Sequence, residues 1–260
     1  MPSIFIQENC RVVKREQLTP TVTRLIVETK AKKIKPGQFA MLATGDLSNV
    51  LRRPISICRA DADAGTVDLV FEARGQGTTA LSRIAEGGTV DALLPLGNGF
   101  DLGGDKIAVV GGGIGIYPLL GLLEQSGAKV KHAYLGFRSR GHAHLLDEFG
   151  CAATSLDIAT DDGSLGAKCF VTDLVKDKYH TYDRVYACGP HGMLDAVAAG
   201  CKSAGVACQV SLEQHMCCGI GACYVCVCAT EGARRQGRKY SLVCSDGPVF
   251  DAKDIIWSET

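Results

Sequence analysis

From residue 10 to about residue 101 the apolar positions recur at short range. Cys10–Glu16, Val22–Glu28, Phe39–Thr44, Arg53–Arg59 and Thr66–Phe71 are alternating or β-branched runs broken by Pro, Gly and Asp, a pattern that predicts strands. Many short strands punctuated in this way indicate a small antiparallel barrel. One short helix is expected from Thr78, directly after Gly75-Gln76-Gly77. Beyond Asp105 the rhythm changes. Lys106–Val110 reads as a buried strand running into glycines and an apolar helix, Ile116–Gln125. The strands Lys129–Leu135, Leu156–Thr160 and Arg184–Ala187, the helix His191–Ala204 and the strand Ala207–Leu212 follow. Strands alternating with helices predict a parallel sheet in an α/β domain. The last stretch, Glu213–Thr260, loses that rhythm. The expected layout is a β-barrel over residues 1–101, an α/β domain over 102–212 and a cysteine-rich C-terminal region over 213–260.

Composition narrows the function classes. The 260 residues carry 28 Lys+Arg against 28 Asp+Glu, so no excess of cations marks a nucleic-acid surface. Charged and hydrophobic fractions of 22% and 46% are those of an ordinary globule. The start, MPSIFIQENC, has neither a basic n-region nor an apolar h-region, against the pattern of a secretory leader. The uncharged runs Ile107–Leu123 and Gln214–Thr230 are interrupted by Gly, Pro or Cys and fall short of the ~20 residues of a membrane span. A soluble, cytoplasmic chain is the expectation. In that compartment 13 Cys point to metal binding or redox work rather than disulfides.

The cysteines form two populations. Cys10, Cys58, Cys151, Cys188, Cys201 and Cys208 are scattered and are expected to be buried as small hydrophobes. Cys217, Cys218, Cys223, Cys226 and Cys228 crowd into twelve residues, with Cys244 downstream. The spacing Cys218-x4-Cys223-x2-Cys226…Cys244 matches the plant-type [2Fe–2S] ligand pattern. A four-thiolate zinc site is the alternative, but zinc usually takes two C-x2-C pairs and no second pair is present. Cys217 and Cys228 stand outside the pattern.

Three further segments suit phosphates and dinucleotides. Leu51-Arg52-Arg53-Pro54-Ile55-Ser56-Ile57 places a cation and a hydroxyl on a strand, able to pair with phosphate and a ring edge. Gly75-Gln76-Gly77-Thr78 offers backbone N–H groups to a pyrophosphate; a plain turn-plus-cap reading serves equally well. Val109-Val110-Gly111-Gly112-Gly113-Ile114-Gly115-Ile116-Tyr117-Pro118 is strand, glycine turn and helix start. It departs from a strict GxGxxG at Ile116, and no acidic residue ends the next strand, so a standard Rossmann dehydrogenase is disfavoured. Cys188-Gly189-Pro190-His191-Gly192-Met193 is a second strand-to-helix turn.

In their order, RPIS, GxGT, GGGIGxxP and CGPxxM, these segments resemble the ferredoxin–NAD(P) reductase superfamily. The C-x4-C-x2-C…C tail narrows the resemblance to the electron-transfer subunits of NAD-dependent (type B) dihydroorotate dehydrogenase, over nearly the whole chain. The resemblance implies FAD contacts at Arg53, Pro54, Ile55, Ser56, Val70, Phe71, Glu72, Gly77 and Thr78, the Glu72 contact through backbone. It implies NAD contacts at Gly111, Gly112, Gly113, Gly115, Cys188, Gly189 and Pro190, and cluster ligation by Cys218, Cys223, Cys226 and Cys244. The loop Thr160-Asp161-Asp162 disfavours a 2′-phosphate and hence NADP, although Arg138 and Arg140 stand near. The implied role is a relay between NAD+ and an FMN-containing catalytic partner, in a heterotetramer serving pyrimidine (UMP) biosynthesis, with no nucleic-acid or membrane partner. Small flavin and iron–sulfur subunits of other NAD(P)H complexes, such as a sulfide dehydrogenase, a bifurcating transhydrogenase or a hydrogenase, are the alternative, and a zinc-stabilised interaction module the more distant one. No catalytic acid or base is required, and the six histidines (His132, His142, His144, His180, His191 and His215) are mostly expected at the surface.

Overall fold

The computed structural model describes residues 5–46 and 49–260; Met1–Ile4, the first residues of the stretch read for a leader, lie outside them. Six strands close the N-terminal barrel: β1 (Ile6–Gln17), β2 (Val22–Glu28), β3 (Phe39–Leu42), β4 (Arg53–Asp61), β5 (Thr66–Glu72) and β6 (Thr89–Leu96). They run in the order β1-β2-β5-β4-β3-β6, each pair antiparallel. The sequence pattern supplied five of them. The sixth, β6, pairs with both β1 and β3 and closes the ring. Its Val90, Ala92 and Leu94 point into the barrel core, the period of two expected of a strand with one buried face. Helix α1 (Gln76–Ser82) begins two residues before the expected Thr78.

The α/β half is a six-stranded sheet. Strands β7 (Lys106–Gly112), β8 (Val130–Phe137), β9 (Ser155–Thr160), β10 (Arg184–Cys188) and β11 (Ala207–Ser211) are mutually parallel. Helices α2 (Tyr117–Gln125) and α3 (Leu146–Ala152) cover one face, α4 (Val171–Val175) and α5 (His191–Ala204) the other. Because successive side chains of a strand point oppositely, β7 feeds both layers. Its Ile107 and Val109 join Leu119 and Leu123 of α2, while Ala108 and Val110 join Leu194 and Val197 of α5. A strand buried on both faces therefore reads as a continuous apolar run.

The tail folds back over both halves. It holds a two-strand ribbon, β12 (Val227–Cys228) with β13 (Ser241–Leu242), and a short helix α6 (Glu231–Arg235). Thr230 caps α6 by accepting the Ala233 N–H at 3.0 Å, a bond worth about 1 kcal/mol. Its last strand, β14 (Val249–Asp251), pairs antiparallel with β11 and extends the sheet to the order β14-β11-β10-β7-β8-β9. Among the described residues no helix is long and apolar enough to cross a membrane.

Ion pairs fasten the barrel to the α/β half. Arg59 of β4 meets Glu124 of α2 at 2.7 Å. Arg24 of β2, with a side chain only 13% exposed, pairs with Asp68 of β5 and reaches Glu148 of α3 at 3.4 Å. Removing one member of a buried pair leaves an uncompensated charge. Asp68→Ala removes the closest partner of Arg24 but leaves Glu148 and Glu16 at 3.4 and 3.7 Å, so it is expected to cost about 1–3 kcal/mol, read as a lowered denaturation midpoint at unchanged m-value. A loss below about 1 kcal/mol, the range of an exposed pair, would contradict this reading of Arg24.

Candidate functional site

The cysteine loop is built by the β12–β13 ribbon. Cys226 directly precedes β12 and Cys244 lies two residues beyond β13. The Val243 N–H donates to the Cys226 carbonyl at 2.7 Å, and the Cys244 N–H to the Cys226 sulfur at 3.4 Å. The preceding loop turns its own N–H groups onto sulfur: Ile220 donates to Cys218 at 3.5 Å and Gly221 to Cys244 at 3.2 Å. Cys226 and Cys244 are buried, Cys218 is half-buried and Cys223 is exposed. The thiols interact as Cys218 with Cys223 and Cys226 with Cys244. Among the described residues no three His, Cys, Asp or Glu side chains gather at one point as a single ion needs. All-sulfur donors in two pairs, with N–H groups aimed at the sulfurs to favour thiolate, fit a two-iron group. Cys217 sits beside Cys223. Cys228 is buried, which pushes its thiol up to about 12.

A close approach fixes this loop to the barrel. Gly219 has φ +73°, and a Cβ there would lie 2.5 Å from the Met41 side chain of β3. Only glycine allows both the backbone turn and the contact. Cys226 and Cys244 accordingly share one apolar cluster with Phe39, Met41 and Leu96 of the barrel.

On the far side of β3 runs the RPIS segment. Arg53, Pro54, Ile55 and Ser56 open β4, opposite Leu42, Met41, Ala40 and Phe39. The Arg53 guanidinium lies against Gly77, where a Cβ would meet it at 2.2 Å. It also donates to the Leu51 carbonyl and, at 3.2 Å, to Asn49. Val70 and Phe71 of β5 are buried. Glu72 is ion-paired to Arg74. The Thr78 hydroxyl closes its own turn, accepting from the N–H groups of Arg74 and Gly75 at 3.0 and 3.2 Å.

A cleft of about 760 Å³ separates the barrel from the sheet's C-terminal edge. Gly112, Gly113, Gly115, Gly189 and Pro190 line one wall; Thr21, Glu72 and Arg74 of the barrel line the other. Gly111 and Cys188 stand in register behind them on β7 and β10, with Cys188 pushed up to about 12 by burial. Asp161 and Arg138 face the cleft. Arg140 is engaged by Ser164, through its N–H at 2.7 Å and Nε at 3.1 Å.

The histidines are mostly at the surface as expected, with His144 the exception, and one expectation about the cysteines needs correction. His144 lies buried against the cleft: one ring nitrogen contacts the His142 carbonyl at 2.8 Å and the other the Tyr117 hydroxyl at 2.9 Å. The carbonyl can only accept, so Nδ1 carries the proton and Nε2 accepts from Tyr117. Burial lowers the pKa of this imidazole. Among the scattered cysteines, Cys151 is exposed on α3, while Cys10, Cys58, Cys188, Cys201 and Cys208 are buried as expected. An apolar neighbourhood in sequence does not say which face of a seven-residue helix a thiol takes.

Burial works to raise the Cys218 thiol, but the Ile220 N–H, the Cys223 thiol and the N–H groups of Cys223 and Ala222 outweigh it. They bring it to about 7. Burial and then Cys226 push Cys244 up to about 12. The thiolate is the nucleophile. In metal-free protein, alkylation of Cys218 is thus expected to rise through pH 7 and level off above it, with Cys244 unmodified there. A Cys218 rate still climbing past pH 9 would contradict the assigned N–H···S bonds.

Known proteins match this arrangement. The iron–sulfur cluster binding domain of dihydroorotate dehydrogenase B matches residues 213–256. The dihydroorotate dehydrogenase B (NAD(+)) electron transfer subunit of Listeria monocytogenes serotype 4a is 39% identical over 258 residues, covering 96% of this chain and 99% of the relative. That of Bacillus caldolyticus is 38% identical, covering 94% and 100%. Among solved structures, an NADH-dependent reduced ferredoxin–NADP oxidoreductase studied for flavin-based electron bifurcation superposes with a TM-score of 0.82 at 28% identity, over 96% of this chain and 90% of its own. Full-length identity at this level shows that the chain belongs to the family of dihydroorotate dehydrogenase B (NAD(+)) electron transfer subunits.

Proposed function

We propose that this chain relays electrons between NAD+ and an FMN-containing dihydroorotate dehydrogenase subunit, as the electron-transfer half of a cytoplasmic heterotetramer in pyrimidine (UMP) biosynthesis. Residues 1–101 are read as the FAD barrel, 102–212 as the NAD domain and 213–260 as the cluster region. The carrying observation is adjacency: the cysteine loop rests on Met41 of β3, and Met41 stands opposite Pro54 of the RPIS strand. Neighbouring strands lie about 4.8 Å apart, so one strand separates the two motifs.

When bound, FAD would exchange a hydride with the nicotinamide and single electrons with a [2Fe–2S] cluster. The chain's residues bind and orient. Cys218, Cys223, Cys226 and Cys244 are the proposed cluster ligands. Arg53 supplies a cation for phosphate, with the Pro54–Ser56 backbone, Val70–Glu72 and Gly77–Thr78 framing the ring and pyrophosphate. Gly112, Gly113, Gly115, Gly189 and Pro190 form the nicotinamide wall, with Gly111 and Cys188 behind it. Asp161 in the cleft repels a 2′-phosphate, which favours NAD over NADP, against the cations of Arg138, which faces the same cleft, and Arg140, bonded to Ser164 through its backbone N–H and Nε. Ile220, Tyr224 and Val225 are 45%, 71% and 49% exposed around the cysteine loop, an apolar tip suited to a partner's surface.

The likeness to a bifurcating oxidoreductase supports a second reading, a flavin and iron–sulfur subunit of another NAD(P)H complex. Co-purification separates the two. An FMN protein that comes down with this chain and oxidises dihydroorotate with NAD+ supports the first; a complex inert towards dihydroorotate overturns it. Cys223→Ala is expected to abolish cluster absorption and electron delivery to the partner while FAD stays bound. Undiminished reduction of the partner's flavin by NADH in that variant would remove the loop from the relay.

A further inference from the structure

We propose that Met41 is the positioning residue that sets the distance between the cluster loop and the flavin strand. The inference rests on the relay reading above and adds to it a residue that lies in none of the binding motifs. Met41 is fully buried at the middle of a four-residue strand. The strand divides its side chains between two cores: Ala40 and Leu42 fill the barrel, whereas Phe39 and Met41 point outward into the cluster that contains Cys226, Cys244 and Leu96. Met41 is thus a barrel residue whose side chain belongs to the shell of the cysteine loop.

Both of its ends are held. On the backbone side, its carbonyl accepts from Arg52 Nη1 at 3.3 Å. The same nitrogen donates to the Asp91 carbonyl of β6 at 2.9 Å, and Arg52 Nη2 reaches the Asp91 carboxylate at 2.5 Å. The residue immediately before Arg53 therefore clamps Met41 to its neighbouring strands, and Met41 pairs with Pro54 across the ladder. On the side-chain side, a Cβ on Gly219 would stand 2.5 Å from Met41 Cγ, 3.1 Å from Sδ and 3.4 Å from Leu96 Cδ1. The Gly219 backbone, one residue after Cys218, rests directly on the thioether. An unbranched, polarisable side chain fills an irregular gap of this kind well. Truncating it leaves a void into which the loop sags or water enters, and cluster properties respond to both.

The test is anaerobic stopped-flow reduction of the purified FAD- and iron-loaded chain by NADH, with the cluster followed by absorbance and EPR. NADH delivers two electrons as a hydride and the cluster accepts them singly, so flavin bleaching and cluster reduction are separate phases. Met41→Ala is expected to slow the cluster phase at least fivefold and to change the EPR line shape, while flavin bleaching stays within twofold of wild type. Met41→Leu, of similar volume, is expected to restore both. Loss of iron from Met41→Ala with FAD retained supports the same role. If Met41→Ala fails to fold, Met41→Val, which removes less of the side chain, is expected to give a smaller slowing of the same phase. A cluster phase within twofold of wild type with an unchanged EPR spectrum in the folded variant overturns the assignment. A wild-type chain that binds no iron or no flavin refutes the relay reading instead.

Discussion

The segment Ser245–Pro248 is tied by backbone bonds to the barrel on one side and to the sheet on the other. Asn98, at the exit of β6, donates its backbone N–H to the Gly247 carbonyl at 2.6 Å and its side-chain amide to the Asp246 carbonyl at 2.8 Å. Leu212, at the exit of β11, donates to the Pro248 carbonyl at 2.9 Å. Cys244 directly precedes this segment. Each such bond contributes only about 1 kcal/mol, and together they tie the segment after the last cysteine to both halves. The β14–β11 pairing and the seat of Gly219 on Met41 complete a tail that touches both halves at once. A relay needs that constraint, because the separation between its stations has to be set by the fold.

The same frame explains why the chain carries so little acid–base machinery. Hydride and electron exchange need orientation and exclusion of water rather than a proton donor. The buried His144 fits this pattern. It is held neutral between a carbonyl and a phenol, where it braces the loop between β8 and α3 beside the cleft. Its partners come from residues far away in sequence or from its own loop, and nothing in the string GHAHLL marks one histidine as buried and its neighbour His142 as exposed.

What the sequence made legible was local. Alternation revealed five barrel strands, the apolar run of β7 betrayed a strand covered on both faces, and the x4/x2 spacing singled out cysteines that do lie in one loop. The elements that escaped depend on contacts between distant residues. Strand β6 is interrupted by Asp91 and Pro95 in an otherwise apolar run, and pairing with β1 and β3 makes it the strand that closes the barrel. Strand β14 is three residues long and exists only because the β11 edge is there to receive it. The short helices α3 and α4 are too brief for a helical period to rise above noise. Met41 had no signal at all, since its importance comes from a glycine 178 positions later in the chain.

The central claim is that one chain, without its partner, connects a nicotinamide cleft to a cysteine-bound cluster through the barrel between them. Anaerobic titration of the isolated chain with NADH, followed by EPR, tests this most directly. The account predicts that the flavin bleaches and that a reduced [2Fe–2S] signal then grows with no other protein present. A flavin that bleaches fully while the cluster, proven present by its iron content and reducible by dithionite, stays EPR-silent would contradict it.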